Sequence, residues 1–220
     1  MKFDESIDVI LTCWTSEQRF SHKENTGPST TSSSNRRPPE SRIPPSGWAP
    51  AAHRSIREVA RRGFNLLLGR YSSPDDLRHN IAVFQHAVES QGQVWDPIRV
   101  GVTRAFFVAE SEHEREQALE RRLADRKRQL KLATTPDGRM LGGPDRADGN
   151  PNEINRNSAI YGSPDQIAQR LNHLRTAGVG YVLINGGGSG GGERGLRSLR
   201  RFAREIMPGF TSEDRTQAAD

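Results

Sequence analysis

Tyr181-Val182-Leu183-Ile184 is the run that most limits what this chain can become. Four apolar residues in succession leave no polar face for water. That is the pattern of a strand covered on both sides, as in a parallel sheet. The flanks agree. Upstream, Gly162-Ser163-Pro164 reads as a helix start, with Ser163 as cap, Pro164 in the first helical position and Asp165 and Gln166 in the first turn. Ile167, Leu171 and Leu174 recur at helical spacing, and Gly178 is the expected left-handed stop. Downstream, a glycine stretch from Gly186 leads into a second helix with the apolar stripe Leu196, Leu199, Phe202, Ala203 and Ile206. Helix, doubly buried strand and helix make a piece of an α/β sheet or barrel.

The same alternation runs upstream. Ser55–Gly63 reads as a short helix with a glycine cap, and Phe64–Leu68 as a buried strand. Ser73-Pro74-Asp75 opens a helix with Leu77, Ile81, Phe84 and Val88 on one face. Ile98–Ala109 reads as a strand. Ser111 caps a long helix through about Leu132, whose many Arg and Glu predict solvent exposure. Residues 134–157, with their Pro, Gly, Asp and Asn, read as a long loop. Three strands alternating with helices should be parallel neighbours.

One region breaks the pattern. Residues 24–54 are rich in Ser, Thr, Pro, Asn and Arg, with almost no branched aliphatics. Such a stretch buries too little apolar area to offset its ordering entropy and reads as a disordered linker. It explains a hydrophobic content of 33% and a mean hydropathy of -0.77, both low for a barrel. The net charge of +5 permits an acidic partner, but solvated arginine-rich helix faces account for it, and no nucleic-acid-reading motif is present. The single cysteine, Cys13, excludes a disulfide framework and a cysteine metal cluster. No apolar run reaches the ~18 residues of a membrane span, and Asp4, Glu5 and Asp8 do not fit a signal peptide. A cytoplasmic protein without nucleic-acid or membrane partners is the expectation.

Ile160-Tyr161-Gly162-Ser163-Pro164-Asp165-Gln166, Ala177-Gly178-Val179, Tyr181-Val182-Leu183 and Phe202-Ala203-Arg204-Glu205-Ile206-Met207-Pro208 together resemble the C-terminal end of the bacterial luciferase-like flavin-dependent monooxygenases. That family is a (β/α)8 TIM barrel using FMN or, in some branches, F420. Phe3–Gln18, read as a helix, with Trp14-Thr15 and Phe20-Ser21-His22 behind it, is similar to the family's helix after its fourth strand. The resemblance implies an α/β fold that is an incomplete TIM barrel, the C-terminal half with about strands five to eight. The first four strands would be absent and Met1 an internal methionine of a longer ancestor. The implied organisation is a helix in 1–22, the low-complexity segment in 23–54, the half-barrel in 55–210 and a disordered tail in 211–220. Strand five would be replaced by Ser46–Ala52, where Pro50 lacks a ladder donor.

Residues 24–54 also admit a second reading. Shifting the frame from Lys23 onward permits G-K-Y-W-S-F-D-D-V-V-V-E-P-P, then R-V, then H-P-P-I-W-M-G-A-G-S-P, which is what the family carries there. Glycine is forced where Trp48 meets Ala49, and a large aliphatic where Gly47 meets Trp48. A frameshifted segment, with the frame restored by Ser55, stands beside the plain linker.

The resemblance implies a lineage that oxidises a small organic substrate with reduced flavin and O2, weak or inactive in this chain alone. A non-catalytic half-barrel module and an F420-dependent fragment are the alternatives. The implied partners are a small-molecule substrate and a complementing N-terminal half or a second copy. Barrel sites lie at the C-terminal ends of the strands, and phosphates favour loops that open helices. Arg54 and Ser55, where the family has G-A-G-S-P, are therefore cofactor-phosphate candidates, as are Gly186 and Gly187. The glycine loop has neither a dinucleotide fingerprint nor a P-loop and also reads as a plain flexible loop. Asn65 and Arg104 could face the lumen or serve as satisfied structural groups. The six histidines show no metal spacing. No catalytic residue carries over, because the family's flavin- and substrate-facing residues come largely from its N-terminal half.

Overall fold

A computed structural model describes residues 7–12, 47–48, 53–137, 150–185 and 192–210, with the backbone alone at 48, 53 and 54. The chain divides into two units, Met1–Ser46 and Gly47–Asp220. In the first, residues 7–12 are helical, within the stretch expected to be a helix, and Thr12 Oγ1 donates to the Asp8 carbonyl at 2.7 Å. The rest of that helix, the low-complexity stretch up to Ser46, the glycine loop with Gly186 and Gly187, and the tail from 211 lie outside the described residues.

The second unit is built on one parallel sheet. Its elements are β1 (Gly47–Trp48), α1 (His53–Arg61), β2 (Asn65–Leu68), α2 (Pro74–Glu89), β3 (Val100–Val108), α3 (Glu112–Leu132), α4 (Pro151–Asn157), β4 (Ala159–Gly162), α5 (Pro164–Thr176), β5 (Tyr181–Asn185) and α6 (Glu193–Glu205). β1 pairs with β2 through Gly47–Asn65, and β2 with β3 through Leu66–Val100 to Leu68–Val102. The long β3 then meets two more strands, β4 from Ala105–Ala159 to Val108–Gly162 and β5 from Gly101–Tyr181 to Ala105–Asn185. A strand has two edges. Gly101 pairs with both Leu67 and Tyr181, and Ala105 with both Ala159 and Asn185, so β5 holds one edge while β2 and β4 follow each other along the other.

Alternation along β3 separates two faces. Val100 and Val102 pack with Leu66 and Leu68 beneath Ile56 and Val59 of α1 and Leu77, Ile81, Phe84 and Val88 of α2. Phe106 and Val108 continue that outer face against Ile160, Ile167, Leu171 and Ile206, and the Phe106 ring meets Phe202 edge-on at 4.7 Å. Each such fully buried side chain stabilises by about 1.5–3 kcal/mol. On the inner face, Ala105 and Phe107 pack with Ala159 and Tyr161 beneath Ala118 and Leu119 of α3.

The helix starts follow local chemistry. Ser73 caps α2 by accepting from the Asp76 N–H at 3.1 Å, and Asp76 Oδ2 accepts from the Ser73 N–H at 3.1 Å. Ser163 and Gln166 close the same reciprocal box at α5. Gly178 takes φ +93°, as the stop after α5 requires, and a Cβ there would lie 3.2 Å from Ile81.

Five expectations need correction. Strand five is not wholly replaced: Gly47–Trp48 pairs with β2 in the sheet. Residues 134–157 are not all loop: Asn150 caps the helix Pro151–Asn157 by accepting from the Asn152 N–H at 2.9 Å, an Asn-Pro start signal the loop composition hid. Ala159–Gly162 is an additional strand. β5 is not covered on both sides: Leu183, on the inner face, is 45% exposed. α6 does not bury its whole stripe, since Leu196 and Leu199 are 46% and 47% exposed. The last two share a cause. A continuous apolar run records what the strand needs covered, not that the covering is present.

Candidate functional site

The inner face opens into a site where β2 ends and β4 begins on the same edge of β3. The loop after β2 places Tyr71 there, buried. α3 follows β3 and brings Arg122 and Arg126 over it, four residues apart and so on one helix face. Their guanidinium carbons lie 5.1 and 4.0 Å from the Tyr71 ring centroid, and that of Arg70 lies 5.6 Å away. Three cations around one aromatic face gain from its quadrupole, yet they repel one another.

Arg122 is held in place. Its Nη1 donates to the Asn155 carbonyl and to Asn155 Oδ1, both at 2.6 Å, and its Nη2 donates to Ser158 Oγ at 3.1 Å. Asn155 Nδ2 in turn donates to the Leu119 carbonyl at 2.9 Å, so α4 is tied to α3 through this residue. Burial holds the Arg122 guanidinium below its ordinary pKa. Burial also pushes the Tyr161 phenol up, keeping it neutral across the physiological range.

Arg126 differs. It is 6% exposed, and its Nη1 has no hydrogen-bond partner. Neither Arg122 nor Arg126 forms an ion pair among the described residues. This is a correction too: the charged face of α3 is not uniformly solvated. The signal was present in the sequence. Ala118, Leu119, Arg122 and Arg126 share one helical stripe, so the apolar face continues into two arginines.

Of the residues singled out from sequence, Arg104 lies on the outer face, not in the lumen. It is buried, with Nη1 donating to the Gly69 carbonyl at 2.9 Å and Nη2 to the Ser72 carbonyl at 3.0 Å. It pins both sides of the Tyr71 loop and is a satisfied structural group. Burial, and secondarily the charge of Arg122, push its pKa down to about 10. Asn65 sits half-buried at the start of β2. Arg54 and Ser55 open α1, one strand across from the arginine cluster, and Ser55 is half-buried. Of α1 to α6, α1 alone has no carboxylate in its first turn. No group of three or more His, Cys, Asp or Glu is placed to hold a metal among the described residues. No helix among them is long and apolar enough to cross a membrane.

A cleft of about 680 Å³ lies on the outer side between α2 and α5, lined by Arg104, Arg170 and His173 among others. Arg170 Nη1 donates to the Ala159 carbonyl at 2.6 Å, so the buried Arg104 and the half-buried Arg170 of this cleft are already committed to backbone.

The parallel strands, their covering helices and a cationic cluster at a strand's C-terminal end define an open α/β unit. The sequence model of the luciferase-like monooxygenases matches residues 1–181, and the chain belongs to that family. No protein of curated function matches it by sequence. Among solved structures it is similar to the monooxygenase RslO1 from Streptomyces bottropensis, with 18% identity, a TM-score of 0.72, and coverage of 95% of this chain and 61% of that one. It is also similar to the oxygenating constituent of 3,6-diketocamphane monooxygenase from the CAM plasmid of Pseudomonas putida, solved with FMN (20% identity, TM-score 0.62, coverage 93% and 62%). An F420-dependent secondary alcohol dehydrogenase matches with 14% identity and a TM-score of 0.63, over 92% of this chain and 59% of that one. The chain therefore spans about three fifths of the length of these structures. At these identities the likeness defines the fold, a partial TIM barrel.

Proposed function

We propose that this chain is the C-terminal half of a flavin-dependent monooxygenase that oxidises a small organic substrate in the cytoplasm, and that it works only when a second half-barrel completes its sheet. The observation that carries the cofactor reading is the N-terminus of α1. It follows β1 at the strand's C-terminal side and lacks any carboxylate in its first turn, so its dipole and free N–H groups suit a phosphate. A phosphate-bearing cofactor fits that donor set. Ser55 and the first backbone N–H groups of α1 would hold the phosphate. Reduced flavin supplies the two electrons that let one atom of O2 enter the substrate while the other leaves as water. The inner face of β3 and β5, with Gly101, Thr103, Tyr181 and Leu183, would wall the site against solvent once covered.

The second half is supported by what is exposed. Among the described residues, β5 pairs with β3 only and β1 with β2 only. Leu183 of β5 and Leu196 and Leu199 of α6, the helix that follows it, are exposed. An open edge beside exposed leucines is what an adjoining βα unit would cover. F420 in place of FMN remains a second reading, because the F420-dependent neighbour matches as well as the FMN-bound one.

The test is to purify the chain alone and co-expressed with the four-strand half of a related enzyme, then titrate FMN, riboflavin and F420. A joint particle that binds FMN or F420 at least about tenfold tighter than riboflavin, with Ser55→Ala weakening it, supports the reading. A folded joint particle indifferent to the phosphate would overturn the cofactor site. Failure of the halves to associate would overturn the completion model.

A further inference from the structure

We infer that Arg126, backed by Arg122, forms a buried subsite for an oxyanion, a phosphate or a carboxylate, at the end of β2. The subsite is separate from α1 and does not depend on which cofactor the barrel takes.

The Arg126 guanidinium carbon lies 4.0 Å from the centroid of the Tyr71 ring, so the aromatic face holds the cation in place. It is 94% withdrawn from solvent by its 6% exposure, yet Nη1 donates to nothing. A buried charged donor without a partner is costly, and native proteins rarely leave one. Its neighbour does not have this problem: Arg122 uses both terminal nitrogens on Asn155 and Ser158. The side chain four residues away on the same helix thus has partners for both terminal nitrogens, while Arg126 keeps a free donor. No carboxylate of the described residues neutralises either guanidinium. A planar fork held by an aromatic face, with a free N–H and uncompensated charge behind it, suits a two-oxygen anion. The anion would supply what the site lacks, a charge-assisted acceptor for Nη1 and a counter-charge for Arg122 and Arg126. Two sources have that chemistry: the phosphate of a cofactor and the acidic group of a substrate.

The test uses the full chain and two probes, sodium phosphate and sodium acetate, at ionic strength held constant with sodium chloride. Binding is followed by calorimetry, and phosphate also by its 31P line width. The wild-type protein should bind at least one probe saturably. Arg126→Met should weaken that binding about tenfold or more, while Arg126→Lys, which keeps the charge, should retain part of it. Arg128→Met, on the exposed side of the same helix, should bind like wild type. Circular dichroism verifies that each variant is folded, and Arg126→Lys carries the comparison if Arg126→Met does not fold. Competition then separates the sources. In the joint particle, phosphate or acetate bound alongside FMN assigns the subsite to an acidic substrate, whereas displacement of FMN that Arg126→Met abolishes and Ser55→Ala leaves unchanged assigns it to the cofactor in place of α1. Absence of saturable binding in wild type, or equal binding by Arg126→Met, overturns the subsite. Overturning it leaves the α1 reading intact, because that rests on FMN against riboflavin and on Ser55.

Discussion

The two faces of the sheet obey different rules. The outer face of β3 is closed: Val100, Val102, Phe106 and Val108 are each 3% exposed or less, under α1, α2 and α5. On the inner face, α3 covers Ala105 and Phe107 at the C-terminal end, and Tyr181 lies over Gly101 near the start of β3. Between them, Leu183 is 45% exposed. The outer face therefore contributes stability to this chain by itself. The inner face is where polar and charged groups accumulate, and where binding of a ligand or another half would be felt. Packing that is complete resists change, and packing that is incomplete is available for function.

The difference can be broken by mutation. Phe84→Ala on α2 should cost about 3–5 kcal/mol, because the ring is fully buried and meets Trp95 edge-on at 6.1 Å. Leu183→Ala on the inner face should stay within about 0.5 kcal/mol in urea melts of the isolated chain. Equal costs at the two positions would show that the inner face is covered in solution. Arg122→Met should cost about 2–3 kcal/mol, since it leaves the Asn155 carbonyl and Oδ1 without their donor in a buried site. A neutral result there would mean that α3 and α4 do not depend on this bond.

Gly101 sharpens the comparison on the inner side. A Cβ there would sit 2.3 Å from two ring carbons of Tyr181, so the tyrosine lies flat across β3 because residue 101 has no side chain. Gly101→Ala should destabilise by about 1–3 kcal/mol. Tyr181→Ala in the same chain should relieve most of that loss, and strictly additive costs in the double variant would refute the contact.

The smallest effect lies at the surface of α1. Hydrogen bonds from Arg61, and then Arg62, push the Glu58 carboxyl down to about 2, from an ordinary 4.5. The folded-state value is depressed, so the stabilisation is present above the ordinary carboxylate range and fades as pH falls from there toward 2. Being surface pairs, these bonds contribute less than about 1 kcal/mol. Glu58→Gln should flatten the acid limb of the stability curve slightly, and an unchanged limb would contradict the pairing.

Much was legible without coordinates because it is local. The Ser163 and Ser111 caps, the Gly63 and Gly178 stops and the spans of β2, β3 and β5 follow from residue chemistry within a few positions, and all are found. β4 was missed because a four-residue strand is stabilised by its pairing with β3, which no local pattern announces. α4 was missed because seven residues carry too little periodicity to stand out from loop composition.

The site shows the same division. From the amino-acid sequence alone came the alternating helices and strands, the family and the expectation that binding falls at the C-terminal ends of the strands, because propensity, capping and patterning act between near neighbours. Only the tertiary structure decided that Arg104 faces outward onto the Tyr71 loop, that Arg122 and Arg126 turn inward, and that Leu183 is left exposed. Those outcomes depend on which surfaces meet across 30 or more residues of chain, and hydrophobic pattern measures the need for a partner surface without supplying one.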